Sequence, residues 1–504
     1  MGEKQKCLST RDQGLAQPLV IETFSGRVQV RFDRNAAFTA FGQMPFFIQF
    51  LKTADLFDPW VNECPLRLTS NNAPKTRDVL GTLLLSTLAG HQRYTHVTAL
   101  RSDGVNPGLL GMTKVASEDS LRRFLKRIPE DDACAWLERH NQKCWAPLLT
   151  LPWVLDADTT VKPLYGHQEG AVLGYNPQKP GRPSHVYHSF MMAQTRLVLN
   201  VEVAPGNKTA GSHALGALER LLRRIPRAQR PEMFRADSSF GVEAVMAFCE
   251  QERLDYLCKL RLTSGVKKLA HRLFSIGEWE HAGQGWRGAE ATLRLAGWSR
   301  RRRVILLRRP IKEAVALSHE RQGRLELAWL EADGGVKKYE YAMLVTTRTE
   351  GVYELAQLYR DRGDSENHFD ELKNQWGWGG YMTQDLHRCQ IMARSVALIY
   401  NWWLLFARLA HPGKHLEAIS SRPLLLHVVG EMTRHAGQKH VSIAHAHGKA
   451  GKARTAMRVV AGFLHALTPI AEQLERWRLI LSRAFIQFLR GTLIPLPKAF
   501  PRTG

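Results

Sequence analysis

The sequence predicts a mixed α/β layer sheet, and three observations predict it. Three β-rich runs, 151–157, 185–193 and 196–204, follow one another with little helix-forming sequence between them. A helical stretch, "GSHALGALERLLRRI", then leads to the strand "EMFRAD", the helix "GVEAVMAFCEQE" and the strand "LDYLCKL". The order β-β-β-α-β-α-β that results suits one sheet covered by helices. Third, the regions on either side carry helical spacing of apolar residues instead of alternation.

Taken in order, residues 36–150 read mainly as helices. "TRDVLGTLLLSTLAG" has apolar positions at helical spacing and ends in Gly90, a common stop. "SEDSLRRFLKRI", residues 117–128, opens on Ser and two acids and then alternates Leu or Phe with Arg and Lys. It reads as a capped helix with a basic face. A DNA-recognition helix and a plain amphipathic surface helix fit it equally. Between the first two strands, "YGHQEGAVLGYNPQKPGRPS" is rich in Gly and Pro and reads as a loop over the sheet edge. Residues 262–346 read as an insertion. "ATLRLAGW", "RRRVILLRR", "RLELAWLEA" and "KKYEYAMLVTT" alternate apolar and charged residues between turn signals, as in a small antiparallel sheet. After Gly351 the chain reads as helical to near residue 490.

Composition narrows the partner. The 504 residues carry 70 Lys and Arg against 47 Asp and Glu, a net charge of +23. Such an excess favours a polyanion, because neutralised phosphates release condensed counterions. A lipid partner is disfavoured: the longest apolar run, residues 391–410, contains Arg394, Asn401 and Arg408, costly in hydrocarbon. The N-terminal stretch has no apolar signal core. The seven cysteines are widely spaced with no C-x-x-C pair, as expected of reduced thiols in a cytoplasmic protein.

Three acidic positions carry the chemistry. "VLDADTT" delivers Asp156 and Asp158 to the end of an apolar strand, and "FRADSSFG" places Asp237 where a strand enters a turn. The third, Glu366, lies in "LYRDRGDSENHFDELKNQWGW". Three converging carboxylates repel one another unless a cation sits between them, which points to divalent metal. Taken singly, each strand-end Asp is more simply a turn former. Tyr359, Arg362 and Glu366 are spaced three and four apart, with Lys373 two turns further on, so on a continuous helix they share one face. A salt-bridged amphipathic helix is the plainer reading of the same charges.

Tyr359, Arg362, Glu366 and Lys373 read Y-x2-R-x3-E-x6-K without a gap. This pattern resembles the signature of DDE transposases of bacterial insertion sequences, the group with the Tyr-Arg-Glu-Lys motif. Asp158-Thr159-Thr160 resembles that group's first motif, Asp237 its second aspartate, and "YGHQEG…GYNP" one branch of such enzymes. The motifs span roughly residues 151–380. The resemblance implies an RNase H-like mixed-sheet catalytic core interrupted by a β-rich insertion and flanked by helical N- and C-terminal regions. Its parts are 1–150 (helical, DNA ends), 151–261 (core), 262–346 (insertion), 347–410 (core) and 411–504 (helical). It implies catalysis and metal binding by Asp158, Asp237 and Glu366, with two Mg²⁺ ions, Mn²⁺ able to substitute. DNA contacts fall to Tyr359, Arg362 and Lys373. The implied partners are double-stranded DNA, as terminal inverted repeats and as target, and a second copy of the chain on paired ends. The implied reaction is strand cleavage and transfer by cut and paste.

Two other readings compete. D-x-D-x-T also resembles the nucleophile motif of haloacid-dehalogenase-like phosphatases, in which Asp156 would attack phosphate, but the late acidic pair such enzymes need is missing from "RADSSFG". A DNA-binding protein without catalysis is the other, and it would have no reason to keep all three acids. Trp286 and Trp298 are candidates for stacking on an unpaired base, though they serve equally as hydrophobic anchors. "RRRR", Arg300 to Arg303, reads as a phosphate contact or a solvated strand face.

Overall fold

The computed structural model describes residues 18–33, 36–70, 72–176, 179–310, 339–412, 415–446, 448–486 and 489, and of 210, 212 and 364–366 the backbone alone. Labels below count described elements. The described residues open with an exposed hairpin, β1 (Leu19–Thr23) and β2 (Gly26–Val30), then β3 (Phe38–Thr39). Helices α1 (Met44–Thr53), α2 (Phe57–Asn62), α3 (Thr76–Leu88), α4 (Asn106–Leu109), α5 (Glu118–Arg127) and α6 (Glu130–Trp145) follow. Helix α5 is the one expected at 117–128: the Ser117 side chain caps it by accepting from the Ser120 N–H, and Leu121, Phe124 and Leu125 are buried.

The sheet contains β4 (Val154–Pro163), β5 (Ser184–Met192), β6 (Leu197–Pro205), β7 (Met233–Ala236) and β8 (Asp255–Leu260). Helices α7 (Leu215–Arg223) and α8 (Glu243–Gln251) make the connections. Strand β4 is antiparallel to β5 and parallel to β7, β5 is antiparallel to β6, and β7 is parallel to β8. Every strand and helix expected between 151 and 260 is present in the expected order. The stretch after 262 differs from expectation. It opens with a helix, α9 (Ser264–Ile276), and its strands do not close a sheet of their own. Strands β9 (Glu280–His281), β10 (Arg287–Leu293), β11 (Arg302–Pro310) and β12 (Tyr339–Thr346) extend the first sheet, because β12 pairs with β8. The order is β6-β5-β4-β7-β8-β12-β11-β10-β9. The physical reason is that β8 would otherwise be an open edge. The strand expected at "RLELAWLEA" lies outside the described residues.

Beyond the sheet come α10 (Val352–Arg360), α11 (Gly363–Gln375), α12 (Leu386–Ala410) and α13 (Ala418–Leu425). The expected all-helical C-terminal region is interrupted by a hairpin, β13 (Gly430–His435) and β14 (Gln438–Ile443), whose first strand pairs with β3. Helices α14 (Ala450–Leu467) and α15 (Gln473–Ala484) complete the described chain. Helix α12 is buried along nearly its whole length and explains the polar residues in the longest apolar run. Asn401 accepts from the Val198 N–H at 2.9 Å and donates to the Val198 carbonyl at 2.8 Å, and Gln390 does the same at Val203. These amides close the outer edge of β6, which no further strand covers among the described residues. Arg394 pairs with Glu138 at 2.7 Å. Among the described residues no helix is long and apolar enough to cross a membrane.

The two sheet faces are sealed differently. One joins the large core with the helical regions, where Trp60 stacks on Trp136 at 5.6 Å between ring centres. The other is a small cluster under α10, built from Met233, Leu257, Leu344, Val352 and Leu355.

Candidate active site between two parallel strands

The parallel register of β4 and β7 sets Asp156 beside Arg235 and Ala157 beside Ala236. Asp158 follows on β4 and Asp237 directly follows β7, so the two lie at one level; β7 ends there, whereas β4, expected to end at Asp158, runs on to Pro163 because it stays paired with β5. The Asp237 carboxylate is held by the Ser239 N–H at 3.0 Å and its hydroxyl at 3.1 Å. That turn keeps the acid facing out of the sheet. Asp158 is half-buried and accepts from Arg362 Nη2 at 2.8 Å.

Side chains alternate along a strand, so Asp156 and Asp158 share a face. Their fates differ. Asp156 is fully buried, and Arg235 grips it through Nε at 2.6 Å and Nη2 at 2.7 Å. Arg235 also donates to the carbonyl of Leu358 in α10. The pair therefore ties the two strands to the helix that carries Tyr359, the first of the Tyr-Arg-Glu-Lys residues. Arg235 is a positioning residue that sequence reading passed over. Its only sequence signal is a charge two residues before Asp237 in an otherwise apolar strand.

The signature residues do not share one continuous helix, contrary to expectation. Helix α10 ends at Arg360, and Arg362 stands at the N-terminal cap of α11. Both joint residues keep right-handed backbone, and the Arg362 N–H still reaches the Tyr359 carbonyl at 3.1 Å. The joint swings Arg362 inward. It is buried, and burial works against its charge. Asp158 first, then Tyr359, Asp237 and Asp156, nonetheless hold its pKa above the ordinary value. The guanidinium thus orients the Asp158 carboxylate and is not presented to solvent as a DNA clamp. Tyr359 is half-buried against the cluster under α10, and Lys373 is half-buried near the end of α11. Glu366 is on α11, which packs beside β4. The backbone places it there, and its side chain lies outside the described residues. A second acid of α11, Glu371, is sealed by the indole of Trp376, the N–H of Ala418 and His415. It serves packing.

Lys162 occupies the same face of β4 as Asp158, four residues on. It is buried, with its ammonium on the Tyr187 hydroxyl at 3.3 Å and on the Gly380 carbonyl. Burial pulls its pKa down to about 8. Two other candidates lose their proposed roles. Trp298 is buried beneath Arg302, 5.1 Å from its ring centre, so no base can stack on it, whereas Trp286 stays half-exposed beside Arg309. In the arginine run, Arg300 and Arg302 pair with Glu250 and Arg303 with Glu290. Among the described residues there is no group of three or more metal-ligating side chains.

Asp158 within β4 and Asp237 just past β7 thus lie side by side on neighbouring parallel strands, with Arg362 of the α10–α11 joint against Asp158. Residues 66–462 match the family model described as the transposase DDE domain, group 1, and the chain belongs to that family and is a DNA transposase. Enzymes of this kind generally use divalent metal ions. Among solved structures, the chain is similar to a piggyBac transposase synaptic complex with hairpin DNA at 12% identity and a TM-score of 0.37, covering 88% of this chain and 85% of that one. A Mos1 transposase paired-end complex with the left transposon end matches at 14% identity and a TM-score of 0.16, over 42% and 75% respectively. No curated protein matches the chain.

Proposed function

We propose that Asp158, Asp237 and Glu366 are the catalytic acids of an RNase H-like core formed by β4 to β8, with 262–346 inserted into it. The enzyme cuts and joins the DNA ends of an insertion sequence by cut and paste, acting in the cytoplasm as a dimer on paired inverted repeats. The observation that carries this reading is the register: Asp158 and Asp237 follow directly on the Ala157–Ala236 pair. The donor set fits two Mg²⁺ ions, or Mn²⁺, because it is all hard carboxylate oxygen. When bound, such ions polarise the phosphodiester and lower the pKa of the attacking water or hydroxyl. The chain's own contribution is orientation: Arg362 fixes Asp158, Ser239 fixes Asp237, and the Asp156–Arg235 pair fixes both strands to α10. Lys373 and Tyr359 line the approach for the DNA backbone, and residues 1–150 take the transposon end.

The phosphatase reading requires Asp156 as a nucleophile, and a fully buried carboxylate gripped by Arg235 cannot meet a phosphate. The test is nicking of DNA that carries the element's inverted repeats, in Mg²⁺. Asp237→Asn and Glu366→Gln are expected to reduce nicking to background while the gel shift persists. Wild-type nicking in Glu366→Gln would remove that residue from the site.

A further inference from the structure

The β13–β14 hairpin and the start of α14 form a second charged region, remote in sequence from the signature. Between residues 430 and 458 the chain has six Lys or Arg and a single acid, Glu431. The hairpin turns through Ala436 and Gly437, both at positive φ. Such two-residue turns match strand twist and make a stiff ribbon. All residues from Thr433 to His440 are exposed. The register sets Arg434 directly opposite Lys439, and like charges facing each other across strands destabilise a ribbon. At the adjoining helix, Lys449 stands at the N-cap and Lys452 in the first turn, with no acid there. Cations at that end oppose the helix dipole. Among the described residues none of these cations pairs with a carboxylate. The chain thus places positive charge at two sites where its own electrostatics disfavour it, and a polyanion relieves both.

We propose that this ribbon and the first turns of α14 grip the phosphate backbone of duplex DNA. Arg434 and Lys439 form one contact, and Lys452 and Arg454 the other. The proposal rests on the reading that DNA is the substrate, and adds a contact surface outside the acidic site. Sequence-independent phosphate contact is the role that fits, since an all-cationic surface positions a duplex and reads no bases.

The test uses the full-length chain and a short blunt duplex of arbitrary sequence, titrated at several salt concentrations. Arg434→Ala/Lys439→Ala and Lys452→Ala/Arg454→Ala should each lower the slope of log affinity against log salt by about two. The thermal midpoint should not fall and should rise slightly, because all four side chains are exposed and their loss relieves the like-charge pair and the cation at the helix start. Asp158-dependent nicking at low salt and saturating enzyme should persist. Unchanged slopes in both variants would overturn the proposal, as would unchanged duplex binding with loss of binding to phosphatidylserine vesicles. Failure of the wild-type chain to nick DNA in Mg²⁺ would instead strike the functional reading and leave the slope result to stand by itself.

Discussion

Along one face of β4, Asp156 and Asp158 sit two residues apart, each bound to an arginine, and do different work. The lower pair is made inside the sheet: Arg235 comes from the neighbouring strand, both partners are sealed, and the contact is bidentate. The upper pair is made between the sheet and the α10–α11 joint, through one contact at 2.8 Å, and Asp158 stays half-buried. Depth separates the two roles. A carboxylate with both oxygens committed in the core stabilises, whereas the half-buried Asp158, beside the turn that follows β7, is within reach of a ligand.

The largest effect expected from this contrast is on cleavage. Asp158→Asn should bring Mg²⁺-dependent nicking to background, and it should also lower the thermal midpoint, because the buried Arg362 loses its nearest counter-charge. Asp156→Asn should lower the midpoint but leave measurable nicking. Nicking at the wild-type rate in Asp158→Asn would break the comparison at its upper end.

The lower pair is tested by stability. Arg235→Met strands a buried carboxylate and should cost about 3–5 kcal/mol, read from urea unfolding. Asp156→Leu/Arg235→Met removes both charges and should recover most of that loss. Cleavage should not recover in parallel, because the tie from Arg235 to the Leu358 carbonyl is still missing. Equal recovery of stability and cleavage would show that Arg235 has no positioning role. Arg362→Ala, one level up, should slow cleavage by roughly ten- to a hundredfold, in the range for residues that orient metal ligands. Its gel shift should remain.

These contrasts also mark how far the sequence could be read. The strands of 151–260 were legible because apolar runs of β-branched residues alternate with amphipathic helices. Asp158 and Asp237 were legible as acids ending such runs. What could not be read was pairing between distant elements. That Arg235 meets Asp156 depends on which strands are neighbours and in what register, which no local pattern encodes. The joint between Arg360 and Gly363 was hidden for a related reason. Residues 352–375 have no proline, and Gly363 is the one local sign of a break; that Arg362, at the joint, meets Asp158 across 204 positions is encoded by no local pattern. The insertion misread as a separate sheet is the same limit: alternation identifies β12, but only the open edge of β8 gives it a partner.

The smallest effect concerns the far end of the same face, where Lys162 sits among the Tyr187 hydroxyl and the Gly380 carbonyl. Burial pulls its pKa down to about 8, while in the unfolded chain it returns to about 10.4. Below pH 8 both states hold the proton, and Lys162 contributes no pH dependence. Between about 8 and 10.4 the unfolded chain binds more protons than the folded one, so this group makes stability rise with pH in that window. Lys162→Met keeps the length of the side chain and removes the titration. The difference in unfolding free energy between wild type and Lys162→Met should shift towards the wild type across pH 8 to 10. The expected change is on the order of 2–3 kcal/mol. Taking the difference cancels the thiols and phenols that titrate in the same range. A difference that stays flat with pH would mean that Lys162 keeps its charge in the folded core, and that this end of β4 tolerates charge as well as the middle does.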